Sequence, residues 1–186
     1  MAKLTRGQSR KLSGNNPKLD VNLEELFGVD LSGNDSLKQA IGQEIIDRIV
    51  SRTEGNTSLS GRAFKRYSKA YKQSDEFKAA GKGSKVNLRL SGDMLGLMDI
   101  VDERDNTLTI GWFDEDEAAK AHGHITGGGN LPKRDFFGLT SSDISSIEAK
   151  FASEIDEVKA ELRSDSDEDA GLLGFAARLT ESLRNG

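Results

Sequence analysis

The chain has 186 residues, a net charge of −5, 35% hydrophobic against 31% charged residues, and 20 glycines. That length holds one sizeable core with extensions, or at most two small domains, and the modest apolar share leaves much of the chain on a surface or in an interface. The absence of cysteine excludes disulfides, thiolate metal sites and cysteine nucleophiles together, and points to synthesis in a reducing compartment. No stretch is apolar for long enough to span a bilayer, and the opening MAKLTRGQSRKLSG lacks the apolar run of a signal peptide. The expectation is a protein made in a cytoplasm, with no membrane stage.

In chain order, residues 1–18 read as a basic, Gly- and Asn-rich arm that is extended and ordered only by contact. Leu19 to Val29 holds a short helix opened by Asn22, with Glu25 three residues on, and closed at Gly28. The first long helix is capped by Ser36 with Gln39, and Leu37, Ile41, Ile45 and Ile49 draw an apolar stripe to Val50. Thr53 to Gly61 is a polar loop.

Between Gly61 and Leu90 stand nine Lys or Arg against two acids, whereas Asp99 to Ala119 has eight acids against Arg104 alone. Asp143 to Asp169 adds ten acids against three bases. Such alternation suits head-to-tail contact, in which one subunit's basic face meets the next subunit's acidic face. Charge pairing within the subunit is the other reading. In the basic part, Phe64, Tyr67, Tyr71 and Phe77 interleave with Lys and Arg, as on nucleic-acid surfaces. The same spacings of three and four describe an amphipathic turn packing on a sheet, and the net negative charge favours that reading.

Lys85 to Leu90 alternates as a strand, with Val86, Leu88 and Leu90 on one face. Ser91-Gly92-Asp93 turns, Met94 to Met98 makes a helical turn or begins a strand, and Asp105-Asn106 turns into the strand Thr107 to Phe113. Asp114 to Glu117 stops that strand. A Gly-rich loop follows, through His122, His124 and Gly127-Gly128-Gly129, freed by glycine from Cβ restriction and ordered only at an entropic cost. After Pro132, Phe136 and Phe137 are adjacent, and in extended chain one ring enters the core while the other faces a neighbour.

Thr140 to Ser142 opens the clearest helix, whose seam Ile144, Ile147, Phe151, Ile155, Val158, Leu162 steps by 3, 4, 4, 3 and 4. SDSDED at 164–169 ends it, and Ala170 to Leu183 forms a terminal amphipathic segment. The fold class predicted is α+β: a small, mainly antiparallel sheet of three or four strands packed with the helices Leu37–Val50 and Ile144–Leu162. Its predicted divisions are a basic N-terminal arm and short helix over 1–35, a core domain over 36–163, and an acidic linker with a C-terminal helical segment over 164–186.

Searching for chemistry returns little. His122 and His124 are the only histidines; an H-x-H pair binds a metal if Asp114 or Glu117 supplies a third ligand, but a backbone-bonded loop histidine is the favoured reading. Gly81-Lys82-Gly83-Ser84 lacks the upstream glycine of a phosphate loop, and Asp165, Asp167 and Asp169 make only half a calcium loop. The expectation is a non-enzyme with no cofactor and no metal.

One resemblance does carry a function. Lys120, His122 and Gly127, followed by Pro132, Arg134, Phe136, Phe137, Gly138 and Leu139, resemble the carboxy-terminal signature of tailed-bacteriophage neck and tail-completion proteins. There, an aromatic or His-Gly segment precedes a P-x-R-x-F-[LF]-G-L element and a helix. Ala63-Phe64, Tyr67 to Ser74, Phe77 to Lys82 and Val86 to Leu95 look like the middle of such proteins, so the similarity covers roughly 61–150. The chain departs from the common form in having Asp135 where a second proline often sits. The resemblance implies a structural virion subunit, made in the host cytoplasm, that forms a homo-oligomeric ring where head and tail meet. It implies neck, portal-adaptor and tail-terminator or tube proteins as neighbours, and non-specific contact with DNA in the channel.

The contact residues expected on this reading are Arg134, Phe136 and Phe137 as anchors, Lys65, Arg66, Lys69 and Lys72 as a strip facing an acidic neighbour or the channel, and His122 and His124 in a loop that orders on docking. The alternative is a nucleic-acid-binding protein using the basic strip 62–89.

Overall fold

The computed structural model describes residues 6–12, 14–88, 93–127 and 131–164. The chain divides into two compact units, Met1–Ala149 and Lys150–Gly186. The first is an α+β fold around a four-stranded antiparallel sheet, with strands β1 (Gln8–Lys11), β2 (Lys18–Asn22), β3 (Met98–Arg104) and β4 (Thr107–Trp112) in the order β1-β2-β4-β3.

β1 comes from the region read as a free arm, and β2 from the start of the segment 19–29 read as holding a short helix. Leu19 and Val21 of β2 are fully buried and pair with Ile110 and Leu108 of β4, so the start of the chain belongs to the core. β1 alternates only between half-exposed and exposed residues, and an edge strand with no apolar face leaves no period-2 signal in the sequence. The 1–35 division is therefore corrected. The predicted strand at Lys85–Leu90 is corrected as well: 85–88 is irregular, although Val86 and Leu88 are buried as the alternation requires, with Leu88 at a φ of +54°.

The β3–β4 hairpin across Asp105-Asn106 forms as predicted, with Ile100 against Ile110 and Arg104 against Thr107. The short helix α1 (Leu23–Phe27) also follows the prediction: Asn22 accepts from the Glu25 amide at 2.9 Å, and Gly28 closes it in the left-handed region.

The long helix α2 (Asp35–Glu54) buries Ile41, Ile45, Ile46 and Ile49. Its N-cap is Asn34 and not Ser36, without a side-chain capping bond. It crosses β3 and β4 closely because Gly42 has no side chain: a Cβ there would stand 2.3 Å from Ile100 Cδ1. Near its start the buried Lys38 ammonium meets Glu103 at 2.6 Å and Asp35 at 3.0 Å. The hydrogen bond it donates to Glu103 leads the causes that raise its pKa, so it stays charged inside the fold.

Short helices α3 (Lys69–Gln73) and α4 (Asp75–Ala79) are capped by Ser68 and Ser74, and α5 (Asp93–Gly96) precedes β3. Helix α6 (Glu115–Thr126) packs on β4. Helix α7 (Ser141–Lys150) opens with a reciprocal cap: Asp143 accepts from the Thr140 amide at 2.8 Å, and Thr140 Oγ1 accepts from the Asp143 amide at 3.1 Å.

In the second unit a turn at Phe151 interrupts the helix predicted as continuous, and helix resumes over 152–164. The SDSDED run beyond Ser164 and the amphipathic segment at 170–183 lie outside the described residues. Among the described residues no helix is long and apolar enough to cross a membrane.

Candidate interaction surface

The segment after β4, predicted as a free loop, is mostly the helix α6. Asp114 is its N-cap, accepting from the Glu117 amide at 2.9 Å, and Glu115, Asp116 and Glu117 fill the first turn where the helix dipole favours acids. Ala118, Ala121 and Ile125 are its buried stripe. Gly127 ends it at a φ of +76°, and a Cβ on Gly127 would lie 2.9 Å from both the amide nitrogen and Cβ of Lys133. The acids that read as a strand stop are a helix start. Gly128, Gly129 and Asn130 lie outside the described residues.

This helix separates the two histidines. Two positions apart on a helix, His122 and His124 do not face the same side, so they do not form one chelating pair. His122 is half-exposed, and its carbonyl accepts from Thr126 Oγ1 at 2.8 Å. His124 turns inward, and its Nδ1 accepts from Arg134 Nη1 at 3.1 Å. Burial, and then the positive charges of Arg134 and Lys82, lower its pKa to about 4. It is a neutral acceptor at physiological pH. Among the described residues no group of three or more His, Asp or Glu is placed to hold a metal ion.

Arg134 is only 3% exposed. Its backbone amide donates to the His124 carbonyl at 2.7 Å, Nη2 reaches the Lys65 carbonyl at 3.4 Å, and the guanidinium lies 5.4 Å from the Tyr67 ring centroid. Burial lowers its pKa against the opposing pull of Tyr67 and Tyr71. Its Nε has no hydrogen-bond partner among the described residues. The charge is balanced by ring faces, a neutral imidazole and a carbonyl instead of a carboxylate. Around it Tyr67, Tyr71 and Phe77 form a triangle of rings with centroids 5.2 to 5.5 Å apart. Lys82 caps it, with Nζ 5.4 Å from the Tyr67 ring centroid and 3.3 Å from Asn87 Oδ1.

Phe136 and Phe137 are both 0% exposed, so neither faces a neighbour. The backbone bends at Phe137-Gly138 instead of running extended, with Gly138 at a φ of +144°. Phe137 packs on Trp112 with centroids 4.9 Å apart. Two arginines hold the bend. Arg10 Nη1 donates to the Phe137 carbonyl at 2.7 Å and meets Asp135 at 2.5 Å, while Arg52 Nη2 donates to the carbonyls of Phe136 at 2.8 Å and Gly138 at 2.6 Å. Arg52 is itself paired with Asp143. Arg134, Phe136 and Phe137 are thus corrected from contact anchors to core residues. Asp135, which stands where the resemblance leads to a second proline, is the acid that holds Arg10.

The four predicted lysine and arginine contacts of the strip lie outside, unlike His124. Lys65, Arg66 and Lys69 are exposed and Lys72 is half-exposed. None has an ion-pair partner among the described residues, nor do Arg62 and Lys85. Phe64 and Phe77 are buried while Tyr67 and Tyr71 are half-exposed, so this segment is core on one side and cationic on the other.

Sequence reasoning missed two features. The arginines Arg10 and Arg52 act on carbonyl oxygens 127 and 84 residues away in sequence, and long-range bonds to backbone leave no local pattern. Phe113 is 70% exposed, although the strand before it is buried on both faces from Leu108 to Trp112, so alternation alone does not mark it.

A hollow of about 540 Å³ opens between residues 57–61 and the start of α7, lined by Arg52, Ser58, Thr140 and Asp143 among others. Its charged groups are already committed to each other. No protein-family model, no curated protein and no solved structure matches the chain.

Proposed function

We propose that the chain is a structural, non-enzymatic subunit of the head–tail junction of a tailed bacteriophage, a neck, connector or tail-completion protein that works in a homo-oligomeric ring. One observation carries the reading. Two of the separated stretches that bear the family resemblance, 63–82 and 120–139, converge on Arg134: Tyr67 and the Lys65 carbonyl come from the first, His124 from the second. Residues that resemble a signature while lying about seventy positions apart meet in one cluster, as parts of a single folding unit do. The mechanism is assembly by surface complementarity, with Arg134, Phe136 and Phe137 shaping the subunit from within and the exposed Lys65, Arg66, Lys69 and Lys72 meeting a neighbour. Neck, portal-adaptor and tail-terminator or tube proteins would be the layers above and below.

The test is deletion of the chain from the genome that encodes it, with particles viewed by electron microscopy. Filled heads and separate tails that join when the purified chain is added support the role. Complete, infectious particles formed without the chain would refute it.

The unpaired basic strip also favours a second reading, a nucleic-acid-binding protein using residues 62–89. It predicts duplex DNA affinity that falls steeply with salt, by roughly one power of salt concentration per phosphate contact.

A further inference from the structure

Leu97 and Phe113 stand one step beyond Met98 and Trp112, the last paired residues at one end of the β3–β4 ladder. Met98 and Trp112 are buried and the two strands end with them, Leu97 lying in the turn after α5 and Phe113 in the bend before α6. There Leu97 is 49% and Phe113 70% exposed, the latter the most exposed large hydrophobic among the described residues. Exposed aromatic and aliphatic side chains that leave the same end of one ladder are the usual composition of an interface anchor.

The surroundings of this pair select the partner. Asp99, Asp114, Glu115 and Asp116 are exposed at the same end of the hairpin, at the start of β3 and of α6. None has an ion-pair partner among the described residues. The patch is thus an apolar anchor inside an acidic rim. The complementary surface is on the chain itself: exposed Arg62, Lys65, Arg66 and Lys69, with half-exposed Tyr67 and Tyr71 between them as apolar floor. Within one subunit these two surfaces do not neutralise each other.

We propose that the Leu97–Phe113 pair and its acidic rim dock on the basic, tyrosine-bearing surface 62–72 of a second copy of this chain. Because the two patches differ, the contact is head to tail, and repetition gives a ring or an open chain instead of a two-fold dimer. A second copy is favoured over nucleic acid because nucleic acid would cover the basic strip and leave the acidic, apolar patch in water. The proposal rests on the ring-subunit reading for closure into a ring, and it names the two faces that such a ring would join.

The natural absence of cysteine provides the test. Phe113→Cys and Lys69→Cys chains, full length, are prepared separately and oxidised alone and mixed. The expected result is a covalent dimer severalfold more abundant in the mixture than in either chain alone. Sedimentation velocity of the unaltered chain should show self-association that weakens between about 0.05 M and about 0.5 M salt, as rim charges are screened. It should be lost in Phe113→Ser. It should also be lost in Lys65→Glu/Lys69→Glu and in Glu115→Lys/Asp116→Lys, and regained when those two are mixed.

Equal yields in all three oxidations, or a dimer only in the Phe113→Cys sample, would overturn the head-to-tail contact. So would duplex DNA binding abolished by Lys65→Glu/Lys69→Glu in a chain that never cross-links. A chain that stays monomeric yet still joins heads to tails would overturn this interface and leave the junction role standing.

Discussion

Acidification should weaken the fold through one side chain, His124. In the folded chain its pKa is lowered to about 4, by burial first and then by Arg134 and Lys82; unfolded it returns to the ordinary value of 6.5. Above about pH 6.5 both states hold the neutral imidazole, and the group contributes no pH dependence. Between about pH 6.5 and about pH 4 the unfolded chain takes up the proton first, so stability falls as pH falls. At about pH 5 the difference amounts to about 2 kcal/mol, and it grows to on the order of 3 kcal/mol once both states are protonated. The physical cost is that a proton on Nδ1 turns the acceptor of the Arg134 bond into a donor and sets two cations face to face.

The assay is urea unfolding of the wild type and of His124→Asn at about pH 7 and about pH 5. Asn presents an acceptor near the Nδ1 position and does not titrate, and its lower helix propensity adds an offset independent of pH. Carboxylates that titrate in this window are common to both proteins and cancel in the comparison. The wild type should lose about 2 kcal/mol more than the variant over that interval. Equal losses in both would refute the placement of a neutral His124 against Arg134.

Three further outcomes follow from the same structure. Phe137→Ala should cost about 3 to 5 kcal/mol and alter the emission of Trp112, the only tryptophan, whose ring it packs against; near-neutral stability with unchanged fluorescence would return Phe137 to the surface. Asp143→Ala should cost about 3 to 5 kcal/mol, because it leaves Arg52 buried without its carboxylate, whereas Thr140→Ala should cost about 1 kcal/mol as a lost cap; denaturant midpoints check both. Gly127→Ala should cost more than the roughly 1 to 2 kcal/mol of a left-handed non-glycine residue, since its Cβ also meets Lys133; a smaller loss by thermal melting would contradict the close approach.

The elements legible in the sequence were those whose signal is local. Ile41, Ile45 and Ile49 announce α2, Leu108, Ile110 and Trp112 announce β4, and Asn22 with Glu25 and Gly28 frames α1, because each pattern is read within a few turns of its own chain. β1 was not legible, since an edge strand of four polar or basic residues is chosen by its partner β2. α6 was obscured because an acidic run ends a strand and begins a helix equally well, and only the Ala118, Ala121, Ile125 stripe separates the two. The fate of Phe136 and Phe137 was not legible at all: adjacency says that one ring must leave the core only if the chain runs straight. Here Arg10 and Arg52 hold it bent from 127 and 84 residues upstream. For the candidate site, the exposed strip Lys65 to Lys72 could be read from composition. The buried cation Arg134 could not, because its partners are ring faces, a carbonyl and a neutral imidazole instead of an acid.

The central claim, a subunit of the head–tail junction, is tested most directly by locating the chain in the particle. Tailed particles carrying a tagged copy of the chain, labelled with an antibody and viewed by electron microscopy, should show label confined to the point where head meets tail. Intact particles that lack the chain, or label spread along the tail tube or over the head, would contradict the account.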